Sequence, residues 1–259
     1  MSNFGADAIE LSIVVPALDE QESIGSLVDE VGRSVMGAGV AAELIVVDDG
    51  STDQTSRRLA ELASSRPWLR AVRRARRGGQ SAATYAGIAA SRGRFVATLD
   101  ADGQNDPADL VVMLKHLQND EADMVQGDRS ANRRDHAVRR VSSWVGRTTR
   151  RLLLGDTIRD TGCSTRVMRA QFARQIPLMY SGMHRFMPFY VRMLGGRVVE
   201  QSASHRPRVA GRAKYGVLNR MLSGLADCLA VRWMAKRYRP SATEAVSQEE
   251  ASCSHDTPG

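Results

Sequence analysis

The stretch Thr98-Leu-Asp-Ala-Asp-Gly-Gln-Asn-Asp-Pro107 continues an apolar run, Phe95-Val-Ala-Thr-Leu99, so its carboxylates leave the end of a predicted strand. Two acids at i and i+2, released from the end of a buried strand into a glycine-containing loop, can both turn toward one hard cation and the phosphates it carries. Asp100 and Asp102 are therefore candidate Mg or Mn ligands, with a solvated turn as the alternative. A calcium EF-hand is excluded, because Gly103 falls at loop position four instead of six and Val111 occupies the place of the bidentate Glu. Asp106 has another part: Asn-Asp-Pro ahead of a helical run predicts Asp106 at the N-cap and Pro107 at the first helical position.

Upstream, further short apolar runs predict strands: Leu11–Ala17, Glu43–Asp48 and Leu69–Val72, with Ala122–Gln126 following. Helical patterns lie between them near 21–36, 53–65, 80–91 and 107–119, each long enough for a crossover. Continuous rather than alternating apolar runs imply strands buried on both faces, hence an α/β fold with a mainly parallel sheet flanked by helices. Functional residues are then expected at the carboxyl ends of strands. The first strand ends in Val15-Pro-Ala-Leu-Asp-Glu20 and lacks the GxGxxG fingerprint of dinucleotide binding. The second ends in Val47-Asp-Asp-Gly-Ser-Thr-Asp53, where Asp48 can face a base or ribose and Thr52 or Asp53 caps the next helix.

The remainder is less regular and strongly basic. Residues 1–128 carry 12 Lys and Arg against 20 Asp and Glu, whereas residues 129–259 carry 24 against 9, so a net charge of +7 hides halves of −8 and +15. Two amphipathic segments, 136–154 and 217–238, flank a strand candidate at Arg197–Gln201 and the loop Gly211-Arg-Ala-Lys-Tyr215. After Pro240 the chain turns polar, and 241–259 is expected to be a disordered tail. Three cysteines without a CxxC pair encode neither a disulfide framework nor a zinc site and suit a reducing compartment. The first ten residues lack the basic start of a secretory signal, and no apolar window of 18 residues exists to span a bilayer. A basic nucleic-acid-binding protein would explain the charge, but aromatics are only 5%, no stacking array is present, and the aspartate-bearing strand ends would go unexplained.

Those strand ends, VVPALDE, VVDDGSTD and LDADGQNDP, in this order and at these separations, resemble the family 2 glycosyltransferases of the GT-A fold, the Rossmann-like nucleotide-diphospho-sugar transferases. Gly78-Gly-Gln-Ser-Ala-Ala83, Gln126-Gly-Asp-Arg129, Asp160-Thr-Gly-Cys163, Met183-His-Arg-Phe186 and His205-Arg-Pro-Arg-Val-Ala-Gly-Arg-Ala-Lys-Tyr215 narrow the likeness to polyprenyl-phosphate glycosyltransferases, the group containing dolichol-phosphate mannose synthase. The resemblance covers residues 11–240 and implies a nucleotide-sugar and metal-binding half (11–130) and an acceptor-binding half (131–215). Beyond these it implies a membrane-interface helix (216–240), with 1–10 as an N-terminal extension.

It further implies that Pro16, Ala17, Asp19, Glu20, Asp48 and Gly79 line the nucleotide-sugar pocket with Asp100, and that Asp100, Asp102 and Gln104 hold Mg or Mn on the donor diphosphate. Arg129, Arg206, Arg212 and Lys214 would grip phosphates of donor and acceptor, and Asp160 would face the reacting centre with Asp102 and Arg129. For the arginines a solvated basic face is the alternative, and for His184 and His205 a packing or hydrogen-bonding role stands beside catalysis. Leu18 stands where many members have Tyr or Phe, Arg77 where Asn is common, and Ala213 where the G-x-S-K-Y loop has Ser.

The implied reaction is inverting transfer of a sugar from a UDP- or GDP-sugar to a polyprenyl phosphate, for cell-envelope glycan or glycolipid synthesis. A phosphate monoester is mostly dianionic at neutral pH, so this acceptor needs no strong base. A hydroxyl acceptor on a saccharide or lipopolysaccharide is the alternative and would need Asp160 as a true base. The expected location is the cytoplasmic face of the membrane, held by the two basic amphipathic segments or by a separate transmembrane partner. Packing of 136–154 on the domain core is the other possibility for that segment.

Overall fold

The computed structural model describes residues 9–130, 137–206 and 217–239, with side chains described at 9–130, 146–206 and 224–239. Among these residues seven strands form one sheet in the order β3-β2-β1-β4-β6-β5-β7. They are β1 (Leu11–Ala17), β2 (Ala42–Asp48), β3 (Leu69–Arg73), β4 (Phe95–Thr98), β5 (Met124–Asp128), β6 (Arg166–Arg169) and β7 (Val198–Ser202). β1 lies between β2 and β4 with all three parallel, and its residues Leu11 to Val15 are buried on both faces, as a continuous apolar run requires. Strands of both expected halves of the chain share this sheet.

The crossovers are α1 (Ile24–Val31), which runs on through a π-helical turn to Met36, then α2 (Thr55–Ser64), α3 (Gln80–Ala90) and α4 (Ala108–Gln118). α1 seats Ile24, Leu27, Val28 and Val31 on one side of the sheet, while α3 covers the other against Val14 and Val47. At Gly87 a built Cβ would lie 2.3 Å from Val14 Cγ1, so only glycine allows α3 this close to β1. α5 (Ala137–Leu154) and α8 (Val217–Arg237) pack along each other, and Arg232 Nη1 donates to the Leu153 carbonyl (2.7 Å).

The structure adds one strand to those expected and moves one helix start. β6, which the sequence pattern did not single out, runs antiparallel to both β4 and β5, while the other pairings are parallel and the sheet is mainly parallel as expected. β6 escapes notice because it is four residues long and begins and ends with arginine. The fourth helix starts at Ala108, one residue later than expected, with Pro107 in the cap position. Asp106 still satisfies the helix start, accepting the Ala108 N–H at Oδ1 (2.9 Å). α6 (Ala170–Ala173) and α7 (Met187–Met193) complete the element order.

Because the chain moves from β1 outward to β3 and then returns to β4 on the other side of β1, the strand order switches between β1 and β4. A crevice at the carboxyl ends of the strands belongs at such a switch. β1 pairs with β4 only from Leu11 to Val14. Pro16, which has no N–H to offer, lies past that ladder and level with Asp100.

Candidate active site

The turns after β1 and β2 are bound to one another. Asp19 adopts φ 51°, a left-handed conformation that aspartate tolerates, and accepts the Thr52 N–H at Oδ1 (2.8 Å) while its own N–H donates to Ser51 Oγ (2.9 Å). The Glu20 N–H donates to Thr55 Oγ1 (2.9 Å), and the Asp49 N–H to the Ala17 carbonyl (2.9 Å). Asp48 is 2% exposed and its carboxylate serves its own turn, accepting from the Ser51 N–H (2.8 Å) and from Ser56 Oγ. Burial opposes its charge, yet those donors hold its carboxyl below the usual range.

Asp49, which sequence reasoning passed over for its neighbour, ties β2 to the glycine turn. It accepts from Arg74 Nη1 (2.6 Å), the Gly78 N–H (3.0 Å) and the Gly79 N–H (2.6 Å). The signal was present in the doubled acid, because adjacent residues leaving a strand face opposite ways. Gly79, at φ 83°, then launches α3, whose Gln80 Nε2 donates to Asp100 Oδ1 (2.9 Å).

Asp100 and Asp102 stand at the end of β4. Burial, and next the Asp102 carboxylate, push the Asp100 carboxyl up. Among the described residues no group of three or more His, Cys, Asp or Glu surrounds a metal position. Two crowded carboxylates fit Mg or Mn that takes its remaining oxygens from substrate phosphates and water, the usual manner for Mg. Gln104 Nε2 donates to the Arg206 carbonyl (3.3 Å), and Asn105 and His205 form a bridge, so segment 104–106 is paired with 205–206. Arg206 itself is engaged by Glu30 (2.5 Å) and by Asp106. Arg212 and Lys214 lie outside the described residues.

Beneath the aspartates lies a buried charge cluster. Arg129, directly after β5, grips Asp160 with Nε on Oδ2 (2.7 Å) and Nη2 on Oδ1 (3.2 Å), while its backbone N–H also donates to Oδ2 (3.3 Å). The two residues are 7% and 5% exposed. Burial works against the Arg129 charge, but the Asp160 bonds outweigh it and raise the guanidinium pKa. Arg166, another residue not foreseen, is 3% exposed on β6 and lowered to about 10 by burial. Its Nη1 donates to the His184 carbonyl (2.7 Å) and its Nη2 to the Cys163 carbonyl. Arg166 opens a four-residue strand that the sequence pattern did not single out, so no signal marked it. His184 is pushed down to about 3 by burial, with Arg185 and Arg166 adding to the effect. Its N–H donates to Ser81 Oγ (3.2 Å) and its Nδ1 lies 2.7 Å from the same oxygen, an arrangement that suits a neutral ring accepting the Ser81 proton. The structure thus gives His184 a hydrogen-bonding role.

Comparisons with known proteins agree with this fold. Residues 12–176 match the model for Glycosyl transferase family 2, and the chain belongs to that family. A dodecaprenyl-phosphate galacturonate synthase from Rhizobium johnstonii is 37% identical over 250 residues, which cover 92% of this chain and 71% of that protein. An undecaprenyl-phosphate 4-deoxy-4-formamido-L-arabinose transferase from Edwardsiella ictaluri is 30% identical over 226 residues, 85% of this chain and 67% of the relative. Among solved structures, glucosyl-3-phosphoglycerate synthase from Mycobacterium tuberculosis, in complex with Mn2+, UDP and glucosyl-3-phosphoglycerate, superposes with a TM-score of 0.64 at 22% identity. That match covers 86% of this chain and 79% of the other. The fold is the GT-A fold, and the protein is a family 2 glycosyltransferase.

Proposed function

We propose that this glycosyltransferase moves a sugar, with inversion, from a nucleotide-sugar to a polyprenyl phosphate. The observation that carries the choice of acceptor is the Arg129–Asp160 pair. A general base must take up a proton, and protonating Asp160 would break a buried two-pronged ion pair. Asp160 is therefore poorly suited to activate a hydroxyl, whereas a phosphate acceptor arrives already ionised. The names of the relatives from Rhizobium and Edwardsiella, both for polyprenyl-phosphate enzymes, support the same acceptor class.

In this reading Asp100, Asp102 and Gln104 would hold Mg or Mn, which would supply charge stabilisation for the departing nucleoside diphosphate. Pro16, Ala17, Asp19 and Glu20 form the β1 wall of the nucleotide pocket, with Gly79 across from it. Asp48 and Asp49 shape that wall from within by fixing the turns. Arg129 presents a fixed positive charge to phosphate oxygens, and Asp160 keeps it in place. Arg206, Arg212 and Lys214 belong to the acceptor side. The enzyme works at the membrane surface as a peripheral protein or beside a transmembrane partner. No helix among the described residues is long and apolar enough to cross a membrane.

The test is incubation of the purified protein with polyprenyl phosphate, Mn or Mg, and a panel of labelled UDP- and GDP-sugars. Label entering the organic phase from one donor, and lost on chelation, is the expected result. Metal-dependent nucleotide binding without lipid-linked product would overturn the acceptor.

A further inference from the structure

A cavity of about 390 Å3 opens between the last turns of α5 and segment 156–159. None of the candidate metal, nucleotide or acceptor residues lines it. Three arginines do: Arg147 and Arg151, one turn apart on α5 and therefore on one face, and Arg159 opposite them. The hydroxyl-bearing Thr148 and Thr157 complete its polar wall. Its one acid, Asp156, is 5% exposed and already neutralised. Arg150 reaches Asp156 Oδ2 through Nε (3.1 Å) and Nη2 (2.5 Å), the Ile158 N–H donates to Oδ1 (3.1 Å), and Arg192 lies 3.7 Å away.

Arg147 and Arg151 have no carboxylate within ion-pair distance among the described residues, and Arg159 has only Asp128 at 3.9 Å. Elsewhere Arg57, Arg66, Arg70, Arg74 and Arg169 all face acids. A concave site with unpaired guanidinium forks and hydroxyls is suited to a tetrahedral oxyanion.

Exposed apolar residues on α5 and on the helix packed against it indicate the source of that anion. Leu152, one turn beyond Thr148, is 76% exposed. On the helix packed against α5, Leu225, Leu229 and Trp233 recur every fourth residue and are exposed, while Cys228 and Val231 face inward. Arg237 stacks over Trp233 at 4.5 Å. Exposed leucine and tryptophan beside arginine match the boundary between lipid headgroups and acyl chains.

We infer that the Arg147–Arg151–Arg159 cavity is a second phosphate site, which takes the headgroup phosphate of an anionic membrane lipid and so seats the enzyme on the bilayer. This rests on the reading that the enzyme works at a membrane surface, and it adds the residues that make the contact.

The test uses the full chain in flotation with phosphatidylcholine vesicles with or without phosphatidylglycerol. Arg147→Gln/Arg151→Gln is compared with a charge-matched control, Arg33→Gln/Arg57→Gln. The wild type should float with the acidic vesicles, the cavity variant should bind them about thirtyfold more weakly, and the control should bind like the wild type. Equal weakening in both variants would overturn the site, since net charge alone would then explain binding. A titration with soluble glycerol phosphate distinguishes the sources: binding of glycerol phosphate that depends on Arg147 and Arg151, without such dependence for vesicles, would overturn the lipid assignment. Transfer to a short, water-soluble prenyl phosphate should have the same KM and kcat in the cavity variant as in the wild type. Failure of the wild type in that assay would count against the acceptor reading alone.

Discussion

Arg129, directly after β5, and Asp160 face each other in a two-pronged ion pair, 2.7 Å and 3.2 Å, and both are nearly closed to solvent. Removing one partner leaves the other charged and buried, which costs about 3–5 kcal/mol, whereas replacing both with apolar groups costs much less. A double-mutant cycle with Arg129→Met and Asp160→Leu should therefore show the double variant losing far less stability than the two single losses added together. Additive losses in denaturant titrations would mean that the pair is not coupled.

Asp100 should make the metal-free protein less stable. Its folded pKa lies above the unfolded value, first through burial and then through Asp102, so the native state holds the extra proton between the two values. The resulting penalty is fully present above the folded pKa and relieved as pH falls through it. Asp100→Asn should raise the metal-free Tm at neutral pH, narrow its lead over the wild type as the pH falls, and abolish metal-dependent nucleotide binding. A variant that lowers Tm at pH 7 would contradict this trade of stability for function.

His184 should stay neutral through the working range of the enzyme. Its pKa of about 3 lies below the ordinary 6.5, so the native state resists a proton that the unfolded chain accepts. Its contribution to stability accordingly falls as pH drops below about 6.5, the unfolded histidine value. Ring resonances of His184 should not titrate between pH 5 and 8, and a titration midpoint inside that window would refute the buried Ser81 pairing.

Gly87→Ala tests how α3 is held against the sheet. The added methyl would meet Val14 at 2.3 Å and Val47 at 3.1 Å. A loss of about 1–3 kcal/mol is expected from overpacking. Because α3 carries Gln80 to Asp100 and Ser81 to His184, nucleotide affinity should fall as well. Unchanged stability would show that the helix is free to shift.

Much of this architecture was legible in the sequence because buried parallel strands are written as continuous apolar runs. β1 lies at Leu11–Ala17 as expected, and the other expected strands lie within two residues of their predicted ends. The acids at the ends of β1, β2 and β4 were legible because a parallel sheet gathers its strand ends on one edge. β6 was not, since a short strand bounded by Arg166 and Arg169 has neither length nor alternation. The doubled acid signals two roles, but which of Asp48 and Asp49 serves the glycine loop is set by the direction of the backbone in the turn. The same holds for Arg206, whose engagement with Glu30 and Asp106 depends on contacts across 176 and 100 residues of sequence. The sugar is not legible in these motifs, and the relatives from Rhizobium and Edwardsiella carry names with different sugars on the same lipid class.

A matched pair of acceptors separates a phosphate, which needs no base, from a hydroxyl, which needs one. The purified enzyme, its metal and its labelled nucleotide-sugar would be offered a prenyl phosphate and the prenyl alcohol of the same chain length. Label should appear on the phosphate alone, and Asp160→Asn should reduce the rate without introducing a new pH dependence near neutrality. Comparable transfer to the alcohol would contradict the account and make Asp160 a base.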